Sequence, residues 1–327
     1  MATGILIVGE LASDGSLRPA SLELVTAGRS LADALGGPLV ALLMGAGSGE
    51  DQSAVLAGAG VDRVLVVEDD RFQVANAEAA ASAVEAAVAA SDAAIVLMPG
   101  TTAGRDYAPK LATRLGAPLA ADCVAFALDG GDLVATRLVV GGRVQTDVRL
   151  TGAVQLATVR GASFAKAEAT GSAAPVEPLS VAFRPGDFRV SVVHTEAKGG
   201  ATGLDTADVV VAGGRGLKEP SNFGLVEDLA SAFGGAVGAT RAVVDAGWRP
   251  HEEQIGQTGR VVSPKLYVAV GVSGAVQHNV GMQGSGVVVA INRDPDAPIF
   301  KLAQFGIVGD LFEVLPALTR EVKAARG

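Results

Sequence analysis

The chain has 327 residues, 49% of them apolar and only 4% aromatic, with 43 glycines; this is enough for two ordinary domains with Ala, Val and Leu cores and tight backbone approaches. A formal net charge of -9 argues against nucleic acid as a partner, because binding to a phosphate backbone is driven by Lys and Arg displacing counterions. The single cysteine, Cys123, excludes an intrachain disulfide and fits a buried, inert thiol in a reducing compartment.

The amino terminus passes from Met1 through Gly4 straight into the apolar run 5–8, with no basic leader or cleavage-like segment, so a cytoplasmic protein is expected. The Ala-rich stretch 76–91 carries Glu78 and Glu85 and is too short to cross a bilayer. Apolar runs at 5–8, 39–44, 64–67 and 93–98 alternate with helical segments such as 21–35 and 76–91. That alternation predicts an α/β fold with a parallel sheet. After Leu115, strands follow closely at 123–128, 133–140, 144–150 and 153–159, joined by turns such as Asp129-Gly130-Gly131-Asp132. These are expected to pair partly antiparallel at the sheet edge, giving a mixed sheet. Residues 165–178 are rich in Ala, Ser, Gly, Glu and Pro and read as a linker. Residues 181–193 read as one more strand, which closes a first domain over 1–193.

A second domain, 204–327, resumes the alternation with strands at 209–212, 266–271 and 287–291, each leading into Gly, Ser or Asn. In Rossmann-like doubly wound sheets, ligands sit at the carboxyl ends of strands, so three such ends point to a nucleotide site. Five segments there carry candidate residues. Gly213-Gly214-Arg215-Gly216 could bring backbone to a pyrophosphate with Arg215 as its counter-charge; a plain strand-to-helix turn with a solvated Arg fits the pattern equally. Thr240 and Arg241 stand at a strand end, where the Arg either faces a ligand or pairs with Asp245. The loop holding Ile255, Gly256, Gln257 and Thr258 offers amides and a hydroxyl, or is simply a turn closed by Gly256 and Gly259. Ser273-Gly274-Ala275-Val276-Gln277-His278 opens a helix whose first NH groups could meet an anion. Asn292 and Asp310-Leu311 suit a ribose or adenine, and equally suit a turn and a helix cap. His194, His251 and His278 are too widely spaced for a metal site. No acid–base constellation surrounds His278, so no catalytic residue is assigned.

Taken in order, GGRGLKEPSNF from Gly213, VGATRAVVDAGW from Val237, QIGQTGRVVSPKLYVAVGVSGAVQH from Gln254, VVAINRDPDAPIF from Val288 and IVGDLF from Ile307 resemble the carboxyl-terminal FAD domain of electron-transfer flavoprotein alpha subunits. The first domain resembles that family more loosely, through residues 5–10, the turn Thr101-Thr102-Ala103-Gly104-Arg105 and the string at 158–164. The resemblance implies a heterodimer with a beta subunit, contacted by the first domain, and one non-covalent FAD in the second domain, with AMP a candidate ligand of the partner. It implies a carrier and not an enzyme, fed by acyl-CoA and other dehydrogenases and emptied by a membrane quinone reductase.

Carried over by motif, Arg215 falls at the FAD phosphate or adenosine region, Thr240 and Arg241 lie against the flavin, and Ile255 to Thr258 line the ring, with Thr258 near N5. Ser273 to His278 fall at the pyrophosphate and the flavin O2 edge, and Asn292, Asp310 and Leu311 at the adenosine. Arg241 and a protonated His278 would then stabilise the negative charge a flavin gains on one-electron reduction. Thr240 stands where many relatives have Ser; the hydroxyl survives, with a stiffer χ1. Two other readings are an NAD-dependent oxidoreductase using the same Gly-rich strand ends, and an NADH-oxidising bifurcating subunit, which would require a second flavin in the partner.

Overall fold

The computed structural model of the chain describes residues 3–12, 14–46, 49–73, 76–140, 142, 144–171, 173–193, 203, 204 and 207–326. It divides into two units, Met1–Thr195 and Glu196–Gly327.

The first unit runs β1 (Gly4–Val8), α1 (Pro19–Leu35), β2 (Leu39–Gly45), α2 (Gly49–Gly58), β3 (Arg63–Glu68), α3 (Ala77–Ser91), β4 (Ala93–Pro99), α4 (Thr102–Leu115), β5 (Leu119–Asp129), β6 (Asp132–Val139), β7 (Val144–Arg149), β8 (Gln155–Val159) and β9 (Val176–Pro178). These make one nine-stranded sheet in the order β7-β6-β5-β8-β4-β1-β2-β3-β9. Only the β5–β6 and β6–β7 pairings are antiparallel, at the edge where the closely spaced strands predicted them. Side chains alternate across the sheet: Ile5 and Ile7 pack on the α1 and α2 side, Leu6 and Val8 on the α3 and α4 side. Asn76 and Thr101 cap α3 and α4 by accepting from the Ala79 and Gly104 amides at 3.3 and 3.1 Å. Cys123 is buried, and burial pushes its thiol up to about 12.

Two expectations fail in this unit. Residues 165–178 are not a free linker. Ala167, Thr170 and Ala174 donate their amides to the Leu22, Gly58 and Ala57 carbonyls at 3.1, 2.8 and 3.0 Å, and the segment ends as β9, parallel to β3. Its small side chains permit close passage over α1 and α2. Residues 181–193 form no strand, because Pro185 and Gly186 interrupt the run with a turn. That turn is anchored by the buried Asp187, which accepts from the Ser82 hydroxyl at 2.6 Å and the Arg184 amide at 2.8 Å. Phe183 and Phe188 pack edge-on at 4.9 Å and both meet Phe72, so the rings are packed without strand pairing, while Val190, Val192 and Val193 stay exposed.

The second unit runs β10 (Val209–Gly213), α5 (Gly224–Phe233), β11 (Ala236–Thr240), α6 (Arg241–Val244), β12 (Gln254–Ile255), β13 (Leu266–Val270), α7 (Val276–Asn279), β14 (Val287–Asn292), β15 (Phe305–Val308) and α8 (Leu311–Arg326). Its six strands are ordered β12-β11-β10-β13-β14-β15 and all are parallel. Counted within the unit, this is the Rossmann order, with the chain reversing direction of travel between β10 and β13. Strand side chains again split: Val211, Val268 and Ile291 pack under α5 and α8, while Val210, Tyr267 and Ala290 face the opposite cluster with Ile255 and Met282. Among the described residues no helix is long and apolar enough to cross a membrane.

Candidate functional site

Because the six strands of the second unit run one way, their carboxyl ends share an edge. Gly213 lies opposite Ala239 and Val270, Thr240 opposite Ile255, Val270 opposite Ile291, and Asn292 opposite Val308. The segments carrying Arg215, Arg241, Gly256 to Thr258, Ser273 to His278, Asn292 and Asp310 all leave from that edge, on both sides of the reversal between β10 and β13 where ligands of such sheets bind.

At the reversal, the two loops are bonded to each other. The Gly214 amide donates to the Val270 carbonyl at 2.8 Å and the Gly216 amide to the Gly271 carbonyl at 3.0 Å. A Cβ on Gly214 would collide with the Gly271 carbonyl oxygen, and one on Gly216 would fall 2.6 Å from the Gly271 Cα. A Cβ on Gly213 would meet the Phe223 ring at 2.6 Å. These glycines are therefore accounted for by packing within the protein, where the sequence suggested an opening for pyrophosphate. Arg215 stands exposed between them.

The β13–α7 connection turns through Gly271 and Gly274, both at positive φ, +60° and +85°, a region only glycine enters freely. Past that turn, the amides of Ser273, Gly274, Ala275, Val276 and Gln277 have no acceptor among the described residues, and helical bonding starts with the His278 and Asn279 amides donating to the Ala275 carbonyl. Ser273, Ala275, Val276 and Gln277 are exposed. Asn279 donates its side-chain amide to the Gly274 carbonyl at 2.8 Å and leaves a buried Oδ1 without a donor.

His278 is 6% exposed. Its Nδ1 lies 3.1 Å from the Ile255 carbonyl and its Nε2 lies 2.9 Å from the Tyr267 hydroxyl. A carbonyl only accepts, so Nδ1 carries the proton, and Nε2 is left to accept from the tyrosine. Burial pulls its pKa down to about 4 against the opposing pull of the Ile255 carbonyl. Burial thus favours a neutral imidazole, where the resemblance implies a protonated one beside an anion.

The remaining candidates resolve individually. Arg241 has 66% of its side chain exposed and pairs with Asp245 at 3.2 Å, the surface-pair alternative. Thr240 is half-buried at the N-cap of α6 and makes no capping bond. Thr258 is exposed, its hydroxyl accepting from Gln254 Nε2 at 3.1 Å, and Gln257 is exposed beside it. The Ile255 side chain is in the core under Gly238. Gly256, at φ +145°, has its would-be Cβ 2.8 Å from the Gln277 carbonyl, and the Gln257 amide donates to that carbonyl at 2.7 Å. Asn292 donates to the Val272 carbonyl at 2.9 Å and accepts from the Asp294 amide at 3.0 Å. Asp310 caps α8 by accepting from the Phe312 amide at 2.9 Å, and Leu311 is core. Asn292 thus holds a turn and Asp310 a helix cap. Tyr267 and Asn279 escaped the sequence reading; a tyrosine in the otherwise aliphatic strand LYVAV, one of two in the chain, was the available signal. Among the described residues there is no cluster of His, Cys, Asp and Glu able to hold a metal, and His194 lies outside them.

The donor set fits a dinucleotide. A run of free amides suits a pyrophosphate, the exposed Arg215 and Arg241 supply positive charge, and Gln257, Thr258 and the half-exposed Val276 offer polar and apolar surface for an amphipathic ring.

A family model described as the electron transfer flavoprotein domain matches residues 5–183, and one described as the electron transfer flavoprotein FAD-binding domain matches residues 203–283. The electron transfer flavoprotein subunit alpha of Thermoanaerobacterium thermosaccharolyticum is 39% identical over 315 residues, 95% of each chain. The subunit of the same name from Bacillus subtilis is 37% identical over 326 residues, 99% of this chain and 98% of its own. Protein FixB of Rhizobium meliloti is 40% identical over 314 residues, 93% of this chain and 89% of its own. With both units matched and relatives aligned over nearly their whole length, the chain belongs to the electron transfer flavoprotein alpha-subunit family.

Proposed function

We propose that the chain is the FAD-holding alpha subunit of a heterodimeric electron carrier that receives electrons from dehydrogenases, acyl-CoA dehydrogenases among them, and delivers them to a membrane quinone reductase. The observation that carries this reading is the run of acceptor-free amides from Ser273 to Gln277, on the same sheet edge as the guanidiniums of Arg215 and Arg241, within the segment matched as FAD-binding. In this reading residues 204–327 hold the cofactor, while residues 1–193 meet the beta subunit, which is the candidate holder of AMP. A cytoplasmic location goes with it.

FAD, when bound, supplies the one- and two-electron chemistry. The chain's residues hold and tune it. The amides of Ser273 to Gln277 bind the pyrophosphate and Arg215 screens its charge. Thr258, Gln257, Thr240 and Arg241 would hold the ring through their polar and charged groups. Arg241 raises the local positive potential, favouring electron gain. His278 holds backbone through its ring nitrogens, and Arg241 and the amide dipoles would supply positive charge beside the cofactor. Asn292, Asp310 and Leu311 shape the adenosine end through the backbone they hold.

The test is co-expression with the beta subunit, followed by an absorption spectrum and cofactor extraction. One FAD per heterodimer, reducible by a dehydrogenase and its substrate, is expected. A colourless complex that turns over NADH with a second substrate would replace this reading with an NAD-dependent oxidoreductase. A second flavin in the complex, with NADH oxidation, would replace it with a bifurcating subunit.

A further inference from the structure

We propose that Tyr267 is a positioning residue of the cofactor site: its hydroxyl donates to His278 Nε2, which fixes the imidazole and commits Nδ1 to the Ile255 carbonyl at the root of the loop bearing Gln257 and Thr258. The inference rests on the FAD reading of that sheet edge.

Tyr267 is fully buried on β13, in the same cluster as Ile255 and Met282. A phenol hydroxyl in such a place needs a partner, since an unpaired one costs the desolvation of a polar group. Its partner is His278 Nε2 at 2.9 Å, and on the far side of the ring Nδ1 meets the Ile255 carbonyl at 3.1 Å. The carbonyl end admits only one polarity, so the proton order runs from the Tyr267 hydroxyl to Nε2 and from Nδ1–H to the carbonyl. The ring is a two-ended clamp between strand β13 and the end of strand β12.

What the clamp holds is the polar loop itself. Directly after Ile255, Gly256 packs against the Gln277 backbone, and the Gln257 amide donates to the Gln277 carbonyl at 2.7 Å. A side chain on Gly281 would strike the Gly256 amide nitrogen, so the loop and the turn after α7 touch backbone to backbone. The groups offered to a flavin ring and the amides offered to its phosphates are therefore held in one register, and His278 is the side chain that bridges them.

The test uses the alpha–beta heterodimer. Tyr267→Phe removes only the hydroxyl, and His278→Asn keeps a donor near the Nδ1 position while abolishing the tyrosine contact. In Tyr267→Phe, the Nε2 nitrogen resonance should move to that of a lone pair without a donor, exchange of the Gln257 amide should quicken, and the dissociation constant for FAD should rise about tenfold, the scale of one buried hydrogen bond. In the His278→Asn background the same change should add nothing, because Tyr267 acts through His278. Equal losses in both backgrounds, or an unchanged dissociation constant and Gln257 exchange, would overturn the inference. A wild-type heterodimer that takes up no FAD would remove the reading beneath it as well; one that takes up FAD while Tyr267→Phe behaves identically would sink this inference alone.

Discussion

Replacing Gly214 by Ala tests whether the glycines after β10 serve the protein's own packing. The new methyl would run into the Gly271 carbonyl oxygen, with the Gly271 C and the Val272 Cα at 2.8 and 2.9 Å, all backbone atoms that cannot swing aside. Gly214 itself sits at φ -110°, so alanine brings no dihedral strain and the effect is purely one of space. Moving the loops apart breaks the Gly214-to-Val270 and Gly216-to-Gly271 bonds. Two such bonds, one of them buried, amount to about 2–4 kcal/mol when their groups are left unpaired. With a urea slope of about 1–3 kcal/mol per molar, the midpoint should fall by about 1–2 M. Trp248 is the single tryptophan and lies in the second unit, so its fluorescence reports that unit directly. Gly224→Ala is the control: nothing lies within 4 Å of its would-be Cβ at the start of α5, and it should be neutral or stabilising by up to about 1 kcal/mol. A Gly214→Ala midpoint equal to that of the control would refute the packing account and return these glycines to a direct role at the ligand.

Arg241→Ala should lower the flavin midpoint potential of the heterodimer by about 20–40 mV, a small shift because the guanidinium is largely exposed and paired with Asp245; stepwise reduction that gives an unchanged potential would remove Arg241 from its role. His278, with a folded pKa of about 4 below an unfolded value of about 6.5, contributes stability that is complete above pH 6.5. That contribution is lost as the pH falls toward 4, because the unfolded chain takes up the proton first. Urea midpoints across this window should slope for the wild type and less for His278→Asn, and equal slopes would contradict the buried neutral state.

Much of the architecture was legible because it is written in local pattern. The period-two split of residues 5–8, with Ile5 and Ile7 facing one way and Leu6 and Val8 the other, is visible in any apolar strand between helical segments. What was not legible depends on residues far apart in the chain. The glycines at 213–216 look like a phosphate loop until Phe223 and Gly271 are seen filling the space beside them. His278 reads as a polar residue near a helix start, and only the fold brings it between Tyr267 and Ile255. The strap at 165–178 has the composition of a linker because small residues serve both flexible chain and close passage over helices. Asn292 and Asp310 were correctly located at strand ends, but pattern could not choose between binding a ligand and capping a turn.

The way the first sheet ends has a consequence for how the protein behaves in a crowded solution. An open row of NH and carbonyl groups invites another chain to add itself. Here β9 is only three residues long and closes on Pro178, which has no NH to give. At the opposite border β7 carries Asp147 and Arg149, the latter tied to Asp129 and Asp132. Both borders of this nine-stranded sheet are therefore poor templates, and the first unit is guarded against adding a strand from another chain.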